Sequence, residues 1–144
     1  MGGVGANTQA LRAVAGVVVN ELPKTPARKP TGPVVLFQKT MGDWGFSDQD
    51  AATLLGLEAA SDVRDVFQGV KPVRHRDSKD RLRAVLRIGA DLDALFSDVA
   101  AIREWLSEAQ PDLDGETPCK LLTEGSMENL LRVKYYLAHL SGRF

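Results

Sequence analysis

From Val34 onward, apolar residues recur at steps of three and four, the period of helices that bury one face. Val34, Leu36, Phe37, Met41 and Trp44 line a first helix that Gly45 stops, with only a few residues around Val34 to Phe37 readable as strand. Ser47 caps a second helix by reaching the amides near Asp50. Ala51, Leu54 and Leu55 face inward there, Gly56 breaks the helix and Leu57 packs in the turn. A third helix, from about Ala60 to Gln68, carries Val63 and Val66. A long helix from about Ser78 through Leu92 buries Leu82, Val85, Leu86 and Gly89, and its apolar pattern continues through Leu95 and Phe96. Another, from about Ser97 to Ser107, uses Val99, Ile102, Trp105 and Leu106. After a turn-rich stretch from Gln110 to Gly115, Thr117 and Pro118 open a brief helix that buries Leu121 and Leu122 and ends at Gly125. The last helix, Ser126 to about Leu140, sets Leu130, Val133, Leu137 and Leu140 on a heptad-like seam. The pattern predicts an all-α fold without a fixed-period repeat.

The first third differs in composition. Pro23, Pro26, Pro30 and Pro33 fall close together with Lys24, Arg28 and Lys29, which reads as an extended linker. Upstream, Thr8 is placed to cap a helix from Gln9 to Asn20 whose Leu11, Val14, Ala15 and Val18 share a face. Such a helix is too short to be stable alone, so it packs on this chain or a copy of it, or else frays as a solvated arm. Composition thus sets off an N-terminal arm and linker over 1–33 from the helical body.

Composition narrows the function classes. A chain of 144 residues, 44% hydrophobic and 26% charged, fits one globular unit or two small ones. Its net charge of −1 means that nucleic-acid binding must come from a local basic patch. The single cysteine, Cys119, excludes an internal disulfide framework and fits a reducing compartment, so a cytoplasmic location is expected. No apolar run approaches the roughly 18 to 20 residues of a membrane span, and no secretion or lipidation signal is read at the N-terminus, where Ala6 stands in place of the Ser or Thr of a myristoylation signal.

Enzyme signatures are absent from the sequence. His75 and His139 stand far apart with no Cys or Glu at metal spacing, and Gly2, Gly3 and Gly5 precede no strand. Cys119 follows Pro118 at a helix start, where partial positive charge lowers a thiol pKa, yet it has no motif-level base partner and reads as passive. Asp112 and Asp114 belong to a turn. The reading is therefore a protein that is not an enzyme, with no metal, cofactor or small-molecule substrate.

The run from Ser47 through Leu57, followed by Val63 and Val66, has the form of a helix-turn-helix: small Ala52 lets two helices cross and Gly56 makes the turn. An ordinary three-helix core is the competing reading, since the valines sit one residue late and the third helix opens with Glu58 and Asp62 near its start. Ser61, Arg64 and Gln68 are the candidates for base contacts, with Lys71, Arg74, Arg76 and Lys79 for phosphates. Lys71 to Arg87 holds seven basic residues against two acidic ones, a local charge of plus five. That stretch is either a DNA-contacting surface or a solvated face whose cations pair locally with Asp77, Asp80 and Asp91.

The C-terminal third carries four separated elements in order: Ile102-Arg-Glu-Trp-Leu; Pro111, Leu113 and Gly115; Thr117-Pro-Cys-Lys-Leu-Leu-Thr-Glu-Gly; and Leu130-Leu-Arg-Val-Lys-Tyr-Tyr-Leu. Over about residues 86 to 144 this resembles the toxin-binding domain of Xre/MbcA/ParS-type antitoxins, and 34–85 looks like the Xre-like helix-turn-helix that precedes it there. The resemblance implies a type II toxin-antitoxin system. The antitoxin would be a homodimer that neutralises a RES-domain, NAD-consuming toxin by occluding its active site and autoregulates its operon by binding operator DNA. A ParT-like ADP-ribosyltransferase toxin, or a stand-alone helix-turn-helix repressor, is the alternative. The candidates implied for toxin contact are Arg132, Tyr135, Tyr136, Leu140, Arg143 and Phe144, the chain end being placed to enter a nucleotide pocket.

Overall fold

The computed structural model describes residues 29–143; the predicted arm helix over 9–20, most of the proline-rich linker and Phe144 lie outside the described residues. Within them the chain is all-helical: α1 (Gly32–Trp44), α2 (Asp48–Leu54), α3 (Ala60–Phe67), α4 (Arg76–Leu95), α5 (Val99–Leu106), a 3₁₀ turn (Pro111–Leu113), α6 (Pro118–Thr123) and α7 (Met127–Leu140). No strand occurs among the described residues, and Val34 to Phe37 are the first full turn of α1.

Local chemistry sets these boundaries. Pro33 opens α1 where no amide donor is needed, and Gly45 closes it in the left-handed conformation. Ser47 accepts from the Asp50 amide while the Asp50 carboxylate accepts from the Ser47 amide, so two orphan donors of α2 are satisfied reciprocally. Asp98, Thr117 and Ser126 cap α5, α6 and α7 in the same way, each accepting from the amide three residues on. At Gly56, φ is +73° and an added Cβ would lie 2.8 Å from Asp77 Oδ2, so only glycine makes this turn without strain.

One buried cluster runs from Phe37 on α1 through Val85, Ile88 and Leu92 on α4 to Val133 and Leu137 on α7. Helix α4 is its spine: α1 packs on one side of it and α7 on another, and α2 also touches it. The position 85/86, where the resemblance divides the chain into two domains, falls inside α4, so both segments share this helix and this core. The expected inward faces hold with four exceptions, among them Leu95, 40% exposed at the end of α4. Leu36 is 50% exposed and its place is taken by Thr40, buried with its hydroxyl donating to the Leu36 carbonyl at 2.8 Å. The other two, Val99 and Leu140, are exposed because each sits at an end of its helix, past the last neighbour that would cover it. Arg103 on α5 donates from Nε to the Asp43 carbonyl at 2.7 Å and from Nη2 to the Gly42 carbonyl at 2.9 Å, placing a cation on the negative end of α1.

Candidate functional site

Two surfaces carry the candidate residues, and α4 joins them. The first is built around α7. Leu130, Val133 and Leu137 anchor the helix in the core, which turns Tyr135 and Leu140 outward, 49% and 44% exposed. Lys134 lies over the Tyr135 ring, its Nζ 5.3 Å from the centroid. Tyr136, one residue on, turns the other way and stacks on Trp105 at a centroid distance of 6.3 Å, with its hydroxyl 3.5 Å from Gln110 Oε1. Burial pushes the Tyr136 phenol up, Asp112 adding to the effect. Trp105 itself is 7% exposed and also leans on Phe96, so it is a core residue.

The two arginines proposed for this surface are held by carboxylates of the same chain. Arg132 Nη2 pairs with Asp114 Oδ2 at 3.1 Å, and its Nη1 donates to the Asn129 side chain. That contact ties α7 to the turn after the 3₁₀ segment, where Asp114 takes a left-handed φ of 58°. Arg143 folds back onto α4: its Nη2 donates to Asp91 Oδ2 at 2.8 Å, and its Nη1 engages Asp91 Oδ1 as well. Asp91 is 2% exposed and also receives Arg87 Nη2 at 2.9 Å. The Arg143 hydrogen bond, reinforced by Arg87 against the opposing effect of burial, holds the Asp91 carboxyl below the usual carboxylate range. Of the six residues proposed for toxin contact, Tyr135 and Leu140 face solvent, Arg132, Tyr136 and Arg143 are engaged within the chain, and Phe144 lies outside the described residues.

The second surface comprises α3 and the first turns of α4. Ser61, Arg64 and Gln68 are exposed along α3, with Val63 and Val66 buried beneath them. Arg64 reaches Asp48 at 3.4 Å, and Lys71 sits 3.6 Å from both Asp62 and Asp65. Arg74, Arg76 and Lys79 converge with Arg83 and Asp80 around a shallow hollow. Among the described residues Arg74, Arg76 and Lys79 have no ion pair, whereas Arg81, Arg83 and Arg87 pair with Asp77, Asp80 and Asp91. The local pairing expected of a solvated face thus holds for Arg81, Arg83 and Arg87. Arg83 was outside the proposed set, although its position four residues after Lys79 puts it on the same face.

No group of histidine, cysteine or carboxylates among the described residues is arranged to hold a metal ion. The Cys119 thiol is half-buried, and burial pushes its pKa up, with Asp50 acting in the same direction. The lowering expected from a helix start is thus overridden by desolvation. No helix among the described residues is long and apolar enough to cross a membrane.

The first surface lies within a recognisable domain. Residues 91–143, from the later part of α4 to the end of α7, match the family model of the antitoxin Xre/MbcA/ParS C-terminal toxin-binding domain. Over that segment, which is less than half of its length, the chain is similar to the toxin-binding domain of these antitoxins. A comparison with curated proteins gives no match.

Proposed function

We propose that this chain is an antitoxin that neutralises a RES-domain, NAD-consuming toxin by laying the outer face of α7 over the toxin's active-site cleft. The observation that carries the reading is the match of 91–143 to a toxin-binding domain, whose last helix holds a tyrosine and a leucine about half exposed at Tyr135 and Leu140. Large side chains of this kind supply binding energy when a partner desolvates them. The arginines act indirectly: Arg132 fixes α7 against the turn at Asp114, and Arg143 pins the end of the chain to Asp91. Inhibition is by binding, in the cytoplasm and as a homodimer, and sedimentation of the free chain gives its stoichiometry.

The same reading gives the protein a second activity, autoregulation through operator DNA. Support comes from Arg74, Arg76 and Lys79, which offer adjacent phosphate contacts beside the exposed side chains of α3. The pairing of Arg64 with Asp48 and of Lys71 with Asp62 and Asp65 weakens the α3 contribution, so affinity rests on the α4 cluster. Co-expression with the toxin encoded beside it, reading growth and cellular NAD, tests the first activity. Rescue of both supports the RES reading. Rescue of growth while NAD never falls assigns a different toxin class, and absence of any toxicity to rescue leaves the DNA-binding regulator.

A further inference from the structure

Two hollows, of about 520 Å³ and 210 Å³, open on the α3 side of the molecule. They share Val66, Lys71, Pro72 and Val73 and so form one continuous groove. Its floor is apolar, with Leu55, Leu57 and Val70 at one end and Val34 and Leu82 at the other. Glu58 and Asp62 stand on one wall of the larger hollow. The smaller hollow is bordered by Lys29, Pro30, Thr31 and Pro33, so the chain enters the described structure at the groove's own mouth.

Twenty-eight residues precede Lys29, and they include Leu11, Val14 and Val18 on one helical face followed by Lys24 and Arg28. In an extended, proline-rich form the ten residues between Val18 and Lys29 reach roughly 30 Å, at about 3.1 Å each. That reach exceeds the width of two packed helices, each about 10 Å across. We propose that residues 1–28 fold back along this groove, with Leu11, Val14 and Val18 over Leu57, Val66 and Val70. The apolar face that is too short to stand as a lone helix then finds a surface a short tether away, where effective concentration is high. The groove also borders Lys71, Arg74 and His75, so the segment lies beside the cationic surface and competes with any polyanion for it. This docking is independent of which toxin the other surface binds.

The test uses the full chain with Cys119→Ser and a nitroxide on Val17→Cys, read by amide NMR. Docking in cis broadens the Leu57, Val70 and Val73 signals, and adding Leu11→Ser, Val14→Ser and Val18→Ser to the same chain restores them severalfold. Sharp signals at those three residues in the starting chain would overturn the proposal. So would broadening seen equally when the nitroxide is carried only by an isotopically silent second copy, which would assign the groove to a neighbouring molecule.

Discussion

The two ends of α4 use the same residue type for opposite purposes. At the C-terminal end, Arg87 and Arg143 converge on Asp91, a carboxylate buried to 2% exposure, and the pairing fastens the end of the chain to the core. At the N-terminal end, Arg76 and Lys79, with Arg74 just before the helix, stay unpaired beside a hollow open to solvent. Arginine content therefore says little about role; the carboxylates in reach decide it. A cation held by a buried acid is part of the fold, and one left beside other cations is available to an anion.

Four variants sharpen that contrast. The largest effect is expected from Trp105→Ala, which empties a core site between Phe96 and Tyr136 and should cost about 3 to 5 kcal/mol in urea unfolding. A loss below about 1 kcal/mol would place Trp105 on an interface instead. Next comes Asp91→Asn. The folded carboxyl sits below its unfolded pKa, so its stabilisation is present above that unfolded value, about 3.9, and is lost as pH falls through the folded one. Asp91→Asn should lower Tm at neutral pH and flatten the acid limb of the Tm profile, and an unchanged acid limb would detach Asp91 from the fold.

Gly56→Ala is smaller, about 1 to 2 kcal/mol, from the left-handed φ and the crowding by Asp77 and Arg81. Neutralising Arg74, Arg76 and Lys79 to Gln should be the smallest in stability, within about 0.5 kcal/mol. The same triple change should reduce the salt slope of operator binding by about 2 to 3, read by fluorescence anisotropy across a salt series. A stability loss like that of a core residue would contradict the division of α4.

Much of the fold was legible because its signals are local. Ser47 and Thr117 each cap the helix expected of them, and Gly45 and Gly56 end theirs with positive φ. Ala51 and Leu54 of α2, Val63 and Val66 of α3, and Leu130, Val133 and Leu137 of α7 are buried as their spacing implies, and Trp105 is in the core. What spacing does not carry is partner choice at long range. Asp91 and Arg143 are 52 residues apart, and nothing in either segment announces the pair. Thr40 displaced Leu36 from the core because a threonine hydroxyl satisfied by the preceding turn buries cheaply, a choice that hydrophobicity alone gets backwards. The segment similar to a toxin-binding domain was recognisable from ordered motifs, but the engagement of Arg132 and Arg143 depended on Asp114 and Asp91, distant from them in sequence.

The most direct test of the account is neutralisation by a chain carrying Tyr135→Asp and Leu140→Asp, co-expressed with the toxin and read as growth and cellular NAD. Both positions are exposed, so the variant keeps its fold, checked by an unchanged Tm. The account predicts that rescue is lost in this variant and retained when Arg74, Arg76 and Lys79 are neutralised. Full rescue by the folded α7 variant would contradict the claim that this helix face meets the toxin.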